Sequence, residues 1–492
     1  MQLPPRPAGP DVVAIALAEG GAIDDLVAKR EADHPGASAF RLVTDGIEAF
    51  VLRMQSARLA ARSLDVQTYI WHADQTGIFL GGQLLESADR GVRVRLLVDD
   101  LDARAFNEGY AALAAHPNID VRLFNPWVTR DGTLKRAGEG AMSFKRINRR
   151  MHNKSWIADN RFAVVGGRNI GDEYFGAGEE MNFVDLDFAM LGPIVRDASD
   201  SFDKYWNSAS AYPIETLDPD GVSHEALAKL REKLADYARA AEAGRYATAL
   251  RGEDRVRKLI AGDWPMQWSE NYQFVSDDPA KVTMTKREAK RTHVASTLLP
   301  MVQEAQAEIQ IISPYFVPGD RVTAALTNAV GSGKQVRILT NSLVANDVAA
   351  VHGGYSRYRR PLLEGGVQLW ELKPLAGGSG SSLFGSSGAS LHTKAISTDG
   401  RKLFVGSYNV DPRSTWLNCE QGVLVEDEIL ARQLDAIFAE QTTGARAWKV
   451  ALEGDDLAWS DGSETFDSDP KASGWRRFQA WMTRVLHLDA QL

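Results

Sequence analysis

The stretch HNKSWIADNRFAVVGGRN, residues 152–169, returns as HTKAISTDGRKLFVGSYN at residues 392–409. Both copies fit one template: His, any residue, Lys, four residues, Asp, six residues, Gly, Gly or Ser, any residue, Asn. The first copy is His152, Lys154, Asp159, Gly166, Gly167 and Asn169; the second is His392, Lys394, Asp399, Gly406, Ser407 and Asn409. A long pattern that recurs in register marks a repeated supersecondary unit, and a repeat of this kind fixes the architecture.

The residue types point to phosphate chemistry. On an extended segment, His and Lys two positions apart share a face. Lys brings a compact positive charge to a phosphate oxygen. His changes charge near neutral pH and serves as nucleophile, base or acid. Asn adds a neutral donor, and the small pairs Gly166-Gly167 and Gly406-Ser407 let backbone amides approach an anion, with Gly167 and Ser407 as supporting phosphate-binding positions. One copy is thus half of a phosphate site. Two copies supply what a two-step displacement at phosphorus needs, one His attacking and the other handling protons, with the two Lys balancing charge on the non-bridging oxygens. Asp159 and Asp399 belong to the catalytic motif; falling at a strand-end turn, they are expected to orient or support instead of attacking.

The flanking sequence repeats too. RSLDVQTY (62–69), a helical FLGGQLLESADRG and a β-rich VRVRLLVDD are followed in the second half by EIQIISPYF, RVTAALTNAVGSG and KQVRILTNSL. Strand, helix, strand with a short Gly turn reads as a βαβ unit. The expected fold is α/β: two sandwich domains with mixed sheets about a pseudo-two-fold axis, the active site where the two motif strands meet. The chain divides into an N-terminal extension (1–39), a first domain (40–212), a helical connector (213–265), a second domain (266–450) and a tail (451–492).

The doubled HxKxxxxD motif resembles the phospholipase D superfamily, and the wider context, RINRRMHNKSWIADNRFAVVGGRNIGDEYF and SLHTKAISTDGRKLFVGSYNVDPRSTWLNCEQG, is similar to its bacterial cardiolipin synthase branch. The resemblance runs from about Phe40 to about Val450. It implies a phosphatidyl transferase working through a phosphohistidine, with His152 as nucleophile and His392 as general acid and base, phospholipids as substrates and no metal or other cofactor. Phosphatidylglycerol would be the acceptor, and phosphatidylglycerol or phosphatidylethanolamine the donor. It also implies a His-orienting acid downstream of each motif. Asp185 and Glu420 occupy that place, with Asp187 and the Glu179–Glu180 pair as alternatives to Asp185. The same chemistry with water as acceptor would give a hydrolase; a diesterase or nuclease, and a non-catalytic lipid-binding protein, are further readings.

Composition bounds these readings. The chain has 492 residues, 44% hydrophobic and 25% charged, with net charge −9. That balance is ordinary for a globular protein and offers no footprint for nucleic acid. The single cysteine, Cys419, excludes an intramolecular disulfide and a Cys-rich zinc site. Asp99, Asp100 and Asp102 form a cluster that a divalent cation would accept, although a polar strand-end turn has the same composition. No run approaches the ~18 apolar residues of a membrane span, and the N-terminus does not read as a secretory signal. A cytoplasmic protein, peripheral on the inner face of the cell membrane, is expected, similar to the synthases of the short class without N-terminal spans.

Four other segments attract attention. FKRINRR (144–150) and Arg357, Arg359 and Arg360, beside His352 and Tyr355, are basic clusters suited to lipid phosphate. AGGSGSSLFGSSGAS (376–390) is flexible in composition, a linker or a flap. In the tail, Trp475, Phe478, Trp481, Met482, Val485 and Leu488 share one helical face, with Arg476, Arg477 and Arg484 off it. The segment 474–488 therefore reads as a helix lying in a membrane interface or docked on the protein body.

Overall fold

In a computed structural model, the described residues are 3–486 except 8, 102–106, 130–137, 140–142, 179–181, 241–245, 247, 249–254, 262, 290–293, 347 and 375–389. The chain forms two compact units. One comprises Met1–Ala177, Asp187–Thr292 and Leu417–Gln421; the other comprises Gly178–Leu186, His293–Trp416 and Gly422–Leu492. Two short segments have thus changed company. Residues 178–186 leave the first half of the chain for the second unit, and residues 417–421 go the other way.

The first unit is built on a nine-stranded mixed sheet. At its centre Ser63–Thr68 and Arg93–Asp99 run parallel, joined by the helix Gln75–Asp89. Asp74 caps that helix by accepting the Gly77 amide at 3.0 Å, which satisfies an N-terminal donor the helix itself leaves unpaired. Ile119–Phe124 extends the parallel part. On the other side the motif strand Ser155–Ala158 runs antiparallel to Ser63–Thr68, and Phe162–Gly166 folds back on it. Alternate residues leave the sheet on opposite faces. Leu64, Val66, Leu96, Trp156 and Val164 enter a core with helices Gly46–Leu59 and Gln75–Asp89. On the opposite face Arg95 pairs with Asp65 and Asp203 at 2.6 and 2.7 Å beneath the rings of Phe202 and Trp206. The helices between 214 and 261 pack onto this unit, burying Leu227, Val256 and Leu259 in its core.

The second unit repeats the plan. Glu308–Ile312 and Gln335–Asn341 are parallel, with the helix Gly319–Gly331 between them in sequence. Gln368–Leu372 extends them, and Ala395–Thr398 and Lys402–Gly406 add the motif hairpin. Seven consecutive strands follow the same order in both sheets. Even the link after each motif repeats: Trp71 bridges Ile170 in the first unit, and Phe316 bridges Val410 in the second. The expected α/β class and the expected βαβ units are both found.

The motif aspartates explain how each hairpin is set. Asp159 and Asn160 have φ of 52° and 56°, and Asp399 and Gly400 have φ of 55° and 58°. This is the left-handed geometry of a type I′ turn, which Asp, Asn and Gly tolerate best. From there Asp159 accepts the amides of Ala61, Arg62 and Ser63 at 2.8–2.9 Å. Asp399 accepts those of Gln306, Ala307 and Glu308 at 2.8 Å. Each carboxylate thereby fixes the start of the neighbouring strand and lies at the far end of its motif strand from the histidine. Asp159→Ala leaves three backbone donors without their charged acceptor and is expected to cost about 2–4 kcal/mol of unfolding free energy. Denaturant titration of each alanine variant measures this. An unchanged midpoint, with activity lost, would place the aspartates in the chemistry after all.

Candidate active site

In the first unit, the backbone amide of His152 donates to the Cys419 carbonyl at 2.8 Å, and the Cys419 amide donates to the Arg150 carbonyl at 2.8 Å. This short bridge lays residues 417–421 beside the motif. Glu420 follows directly, fully buried, and its Oε2 is 2.8 Å from His152 Nδ1. A carboxylate on one ring nitrogen fixes the tautomer and turns Nε2 toward the chemistry. Glu420 is held in its turn. Its amide donates to Asp277 Oδ2 at 2.8 Å, and that carboxylate also accepts from Lys281 Nζ at 2.7 Å. The Tyr69 ring stands edge-on to His152 at 5.0 Å, with Lys154 Nζ 5.3 Å above it. Lys154 Nζ donates to the His152 backbone carbonyl at 2.6 Å. His152 and Lys154 lie just ahead of the strand Ser155–Ala158, not within it as the extended reading supposed.

In the second unit, the amides of His392 and Thr393 both donate to the Val184 carbonyl, at 2.8 and 3.0 Å. Phe183–Val184 pairs in parallel with Ser390–Leu391, which brings Asp185 Oδ2 to 2.6 Å from His392 Nδ1. The Phe183 ring lies 5.0 Å from the His392 ring, and Lys394 Nζ donates to the His392 carbonyl.

Each acid therefore meets the histidine of the other motif. Asp185 follows the first motif in sequence and meets His392; Glu420 follows the second and meets His152. Of the alternatives to Asp185, Asp187 is spent on Arg53 at 3.0 Å and Arg168 at 3.2 Å, and Glu179–Glu180 lies outside the described residues.

The residue before each histidine is clamped from the end of the third motif-side strand. Asp99 accepts the Met151 amide at 2.8 Å; Asn341 accepts the Leu391 amide at 2.9 Å and donates to the Leu391 carbonyl at 3.0 Å. Asp99 is pushed up to about 6 by burial, an effect that Arg150 and the amides of Met151 and Leu101 only partly offset. Asn341 does the same work without a charge. Tyr69, Phe183, Asp277, Lys281 and Asn341 carry no local signature, and sequence reasoning missed them as parts of the site.

Asn169 accepts the Ile70 amide at 3.3 Å and donates to the Tyr174 hydroxyl at 2.9 Å. The Asn409 amide donates to Ser414 Oγ at 3.2 Å. Gly167 and Ser407 are buried beside them. Cys419 is packed, and burial keeps its thiol protonated by raising its pKa.

Several expected roles change. Arg359 is not offered to lipid: it is buried against Glu371 at 2.8 Å and Asp469 at 2.6 Å. Burial opposes its charge, yet those carboxylates outweigh it and raise its pKa. His352 joins the same network, 3.1 Å from Asp469, and Arg360 donates to the Asp455 carbonyl. In FKRINRR, Arg146 binds Glu139 at 2.9 Å and Arg149 binds the carbonyls of Lys281 and Met284, leaving Lys145 exposed. The desolvation of a guanidinium is offset only by such full pairing. Asp99 and Asp100 are engaged by backbone amides, and Asp102 lies outside the described residues, as does nearly all of 376–390. Two groups have ligand atoms close enough for a cation among the described residues, His72–Asp74–Glu173 and His352–Glu371–Asp469. The second holds the Arg359 guanidinium; in the first, Asp74 already accepts the amides of Gly77 and Asp172. Neither contains a motif residue.

Comparison with known proteins accords with this doubled arrangement. A family model described as "Cardiolipin synthase, PLD-like domain" matches residues 53–206 and 298–442, one match over each motif. The chain belongs to the cardiolipin synthase family of phospholipase D-like proteins. Within that family it is 40% identical to cardiolipin synthase C of Escherichia coli over 468 residues, covering 93% of this chain and 96% of that one. It is 26% identical to a cardiolipin synthase of Oceanobacillus iheyensis over 410 residues, covering 82% of this chain and 70% of that one. The fold of this cardiolipin synthase relative also matches the crystal structure of a Haemophilus influenzae phosphatidylserine synthase, with TM-score 0.58 at 13% identity over 94% of this chain and 99% of that one.

Proposed function

We propose that this chain is a phosphatidyl transferase that makes cardiolipin from two phospholipids. The observation that carries the reading is the doubled half-site, each with a histidine whose Nδ1 is met by a buried carboxylate. In the proposed reaction Nε2 of His152 attacks the phosphorus of a donor, phosphatidylglycerol or phosphatidylethanolamine. A P–N bond forms and the P–O bond to the head-group alcohol breaks, with His392 giving that alcohol its proton. His392 then takes the proton from a hydroxyl of an acceptor phosphatidylglycerol, whose oxygen displaces His152 and restores it. Lys154 and Lys394 neutralise charge on the non-bridging oxygens, where it grows in the transition state. Asn169 and Asn409 stand beside them as neutral supports. The choice of His152 as nucleophile rests on family resemblance; the local geometry of the two histidines is nearly the same.

The substrates are membrane lipids, and no described helix is long and apolar enough to cross a membrane. Because those substrates reside in the bilayer, the proposed enzyme works on the inner face of the cell membrane. The test is a mass-spectrometric product assay with vesicles of phosphatidylglycerol and phosphatidylethanolamine in the presence of a chelator. Cardiolipin from the wild type is the expected product. Phosphatidic acid alone would make water the acceptor and the protein a hydrolase; no lipid product would overturn the reading.

A further inference from the structure

The C-terminal helix Gly474–Leu486 has two faces that do different things. Trp475, Phe478, Trp481 and Met482 are 66%, 44%, 57% and 40% exposed. The three aromatic rings form one continuous row, Trp475 stacked on Phe478 at 5.6 Å and Phe478 on Trp481 at 6.1 Å. An isolated exposed aromatic is unremarkable, but a row of them on one helix needs an apolar neighbour. Trp in particular favours the boundary between lipid and water. Exposed Lys471 and Arg477 adjoin the row in sequence, two cations on a chain of net charge −9. Phosphatidylglycerol and cardiolipin are anionic, so the occupant that matches both features is a lipid surface.

The opposite face is welded to the second unit. Ala480 and Thr483 are buried, and a side chain at Gly353 would run into the Ala480 carbonyl. Arg476, which the helical pattern placed off the aromatic face, is only 8% exposed. Its Nη1 donates to the carbonyls of Leu343, Val344 and Asn346 at 2.7, 3.3 and 2.8 Å. Those three belong to the buried turn that follows Asn341, and the Asn346 amide closes it on the Ser342 carbonyl at 2.9 Å. Asn341 holds Leu391, the residue before His392, through two hydrogen bonds. Polar contacts and the short backbone turn between them thus connect the inner face of the tail helix to the second motif. The approach to the helix is fixed as well, by Asp469 on Arg359 and His352.

We infer that the C-terminal helix is the bilayer-docking element of this protein and that Arg476 is a positioning residue coupling that docking to the second half-site. The aromatic row enters the lipid interface while Arg476 holds the turn that aligns Leu391 and His392. The inference rests on the proposed lipid transfer for its substrate, but the docking half is read without any turnover.

The test uses the full chain. In sedimentation with phosphatidylglycerol–phosphatidylethanolamine vesicles, the triple variant W475S/F478S/W481S is expected to lose at least tenfold in bound fraction at limiting lipid. Unchanged pelleting would overturn the docking surface. So would a change of oligomeric state in the triple variant without loss of pelleting, which would make the row an interface between copies. With a short-chain phosphatidylglycerol kept below its micelle concentration, R476A is expected to lose about tenfold in kcat with a smaller change in KM, and to keep its vesicle pelleting. R476K keeps the charge and loses the planar fork; it covers the case of a poorly folded R476A and is expected to fall severalfold. The pH–kcat profile of either variant should shift, because the proton held by His392 depends on its alignment with Asp185. Wild-type kcat and an unmoved profile in both would overturn the coupling. Absence of any product from the wild type would sink the proposed function and leave the pelleting arm readable.

Discussion

Alanine at His152 or at His392 will lower cardiolipin formation by about 10⁴-fold or more, as expected when one member of a reacting unit is removed. The two losses should then separate with an activated donor, a phosphatidyl ester of p-nitrophenol. That leaving group departs without a proton, so His392→Ala should still release p-nitrophenol in a burst and accumulate a phosphoenzyme. His152→Ala should release none. Rapid-quench kinetics with intact-protein mass spectrometry reads both. A burst from His152→Ala and none from His392→Ala would reverse the roles, and turnover close to wild type in either would remove the histidines from the chemistry.

Glu420→Gln and Asp185→Asn will each reduce kcat by about 10²–10⁴-fold, because an amide keeps the shape but no longer stabilises the imidazolium or holds the correct tautomer. The informative part is the pattern. Glu420 touches His152, so its variant should fail as His152→Ala does, with slow p-nitrophenol release. Asp185 touches His392, so its variant should regain release with the activated donor. The opposite pattern, each acid sorting with the motif that precedes it in sequence, would contradict the crossed contacts. Far-ultraviolet circular dichroism and unfolding midpoints close to wild type are the required controls, since both carboxylates are buried.

What the sequence made legible follows from range. His152-x-Lys154 and His392-x-Lys394 are local patterns, and the βαβ units announce themselves by strand alternation and Gly turns; the βαβ units appear where expected, while each His-x-Lys lies just ahead of its strand. Asp185 and Glu420 were recognisable as acids of the right region, but which histidine each would meet depends on where residues 178–186 and 417–421 pack. No spacing encodes that. Arg359 reads in sequence as one of three surface cations, because its partners Glu371 and Asp469 are distant along the chain. The partners of Arg476 were hidden for a related reason. Helical periodicity separates apolar from polar faces, and it cannot distinguish a polar face that meets water from one that meets buried carbonyls. Tyr69 and Phe183 read in sequence as ordinary strand aromatics, and only the fold packs each against a motif histidine.

The exchange of short segments between the units also bears on synthesis. Chains grow from the N-terminus, and domains tend to fold as they emerge. Residues 152–169 leave the ribosome early, yet His152 has no carboxylate until Glu420 has been translated; His392 arrives late to find Asp185 already made. A nascent first half would carry a phosphate-seeking histidine with its tautomer unset. A gene split anywhere between Asp185 and His392 would leave each motif histidine on one fragment and its carboxylate partner on the other.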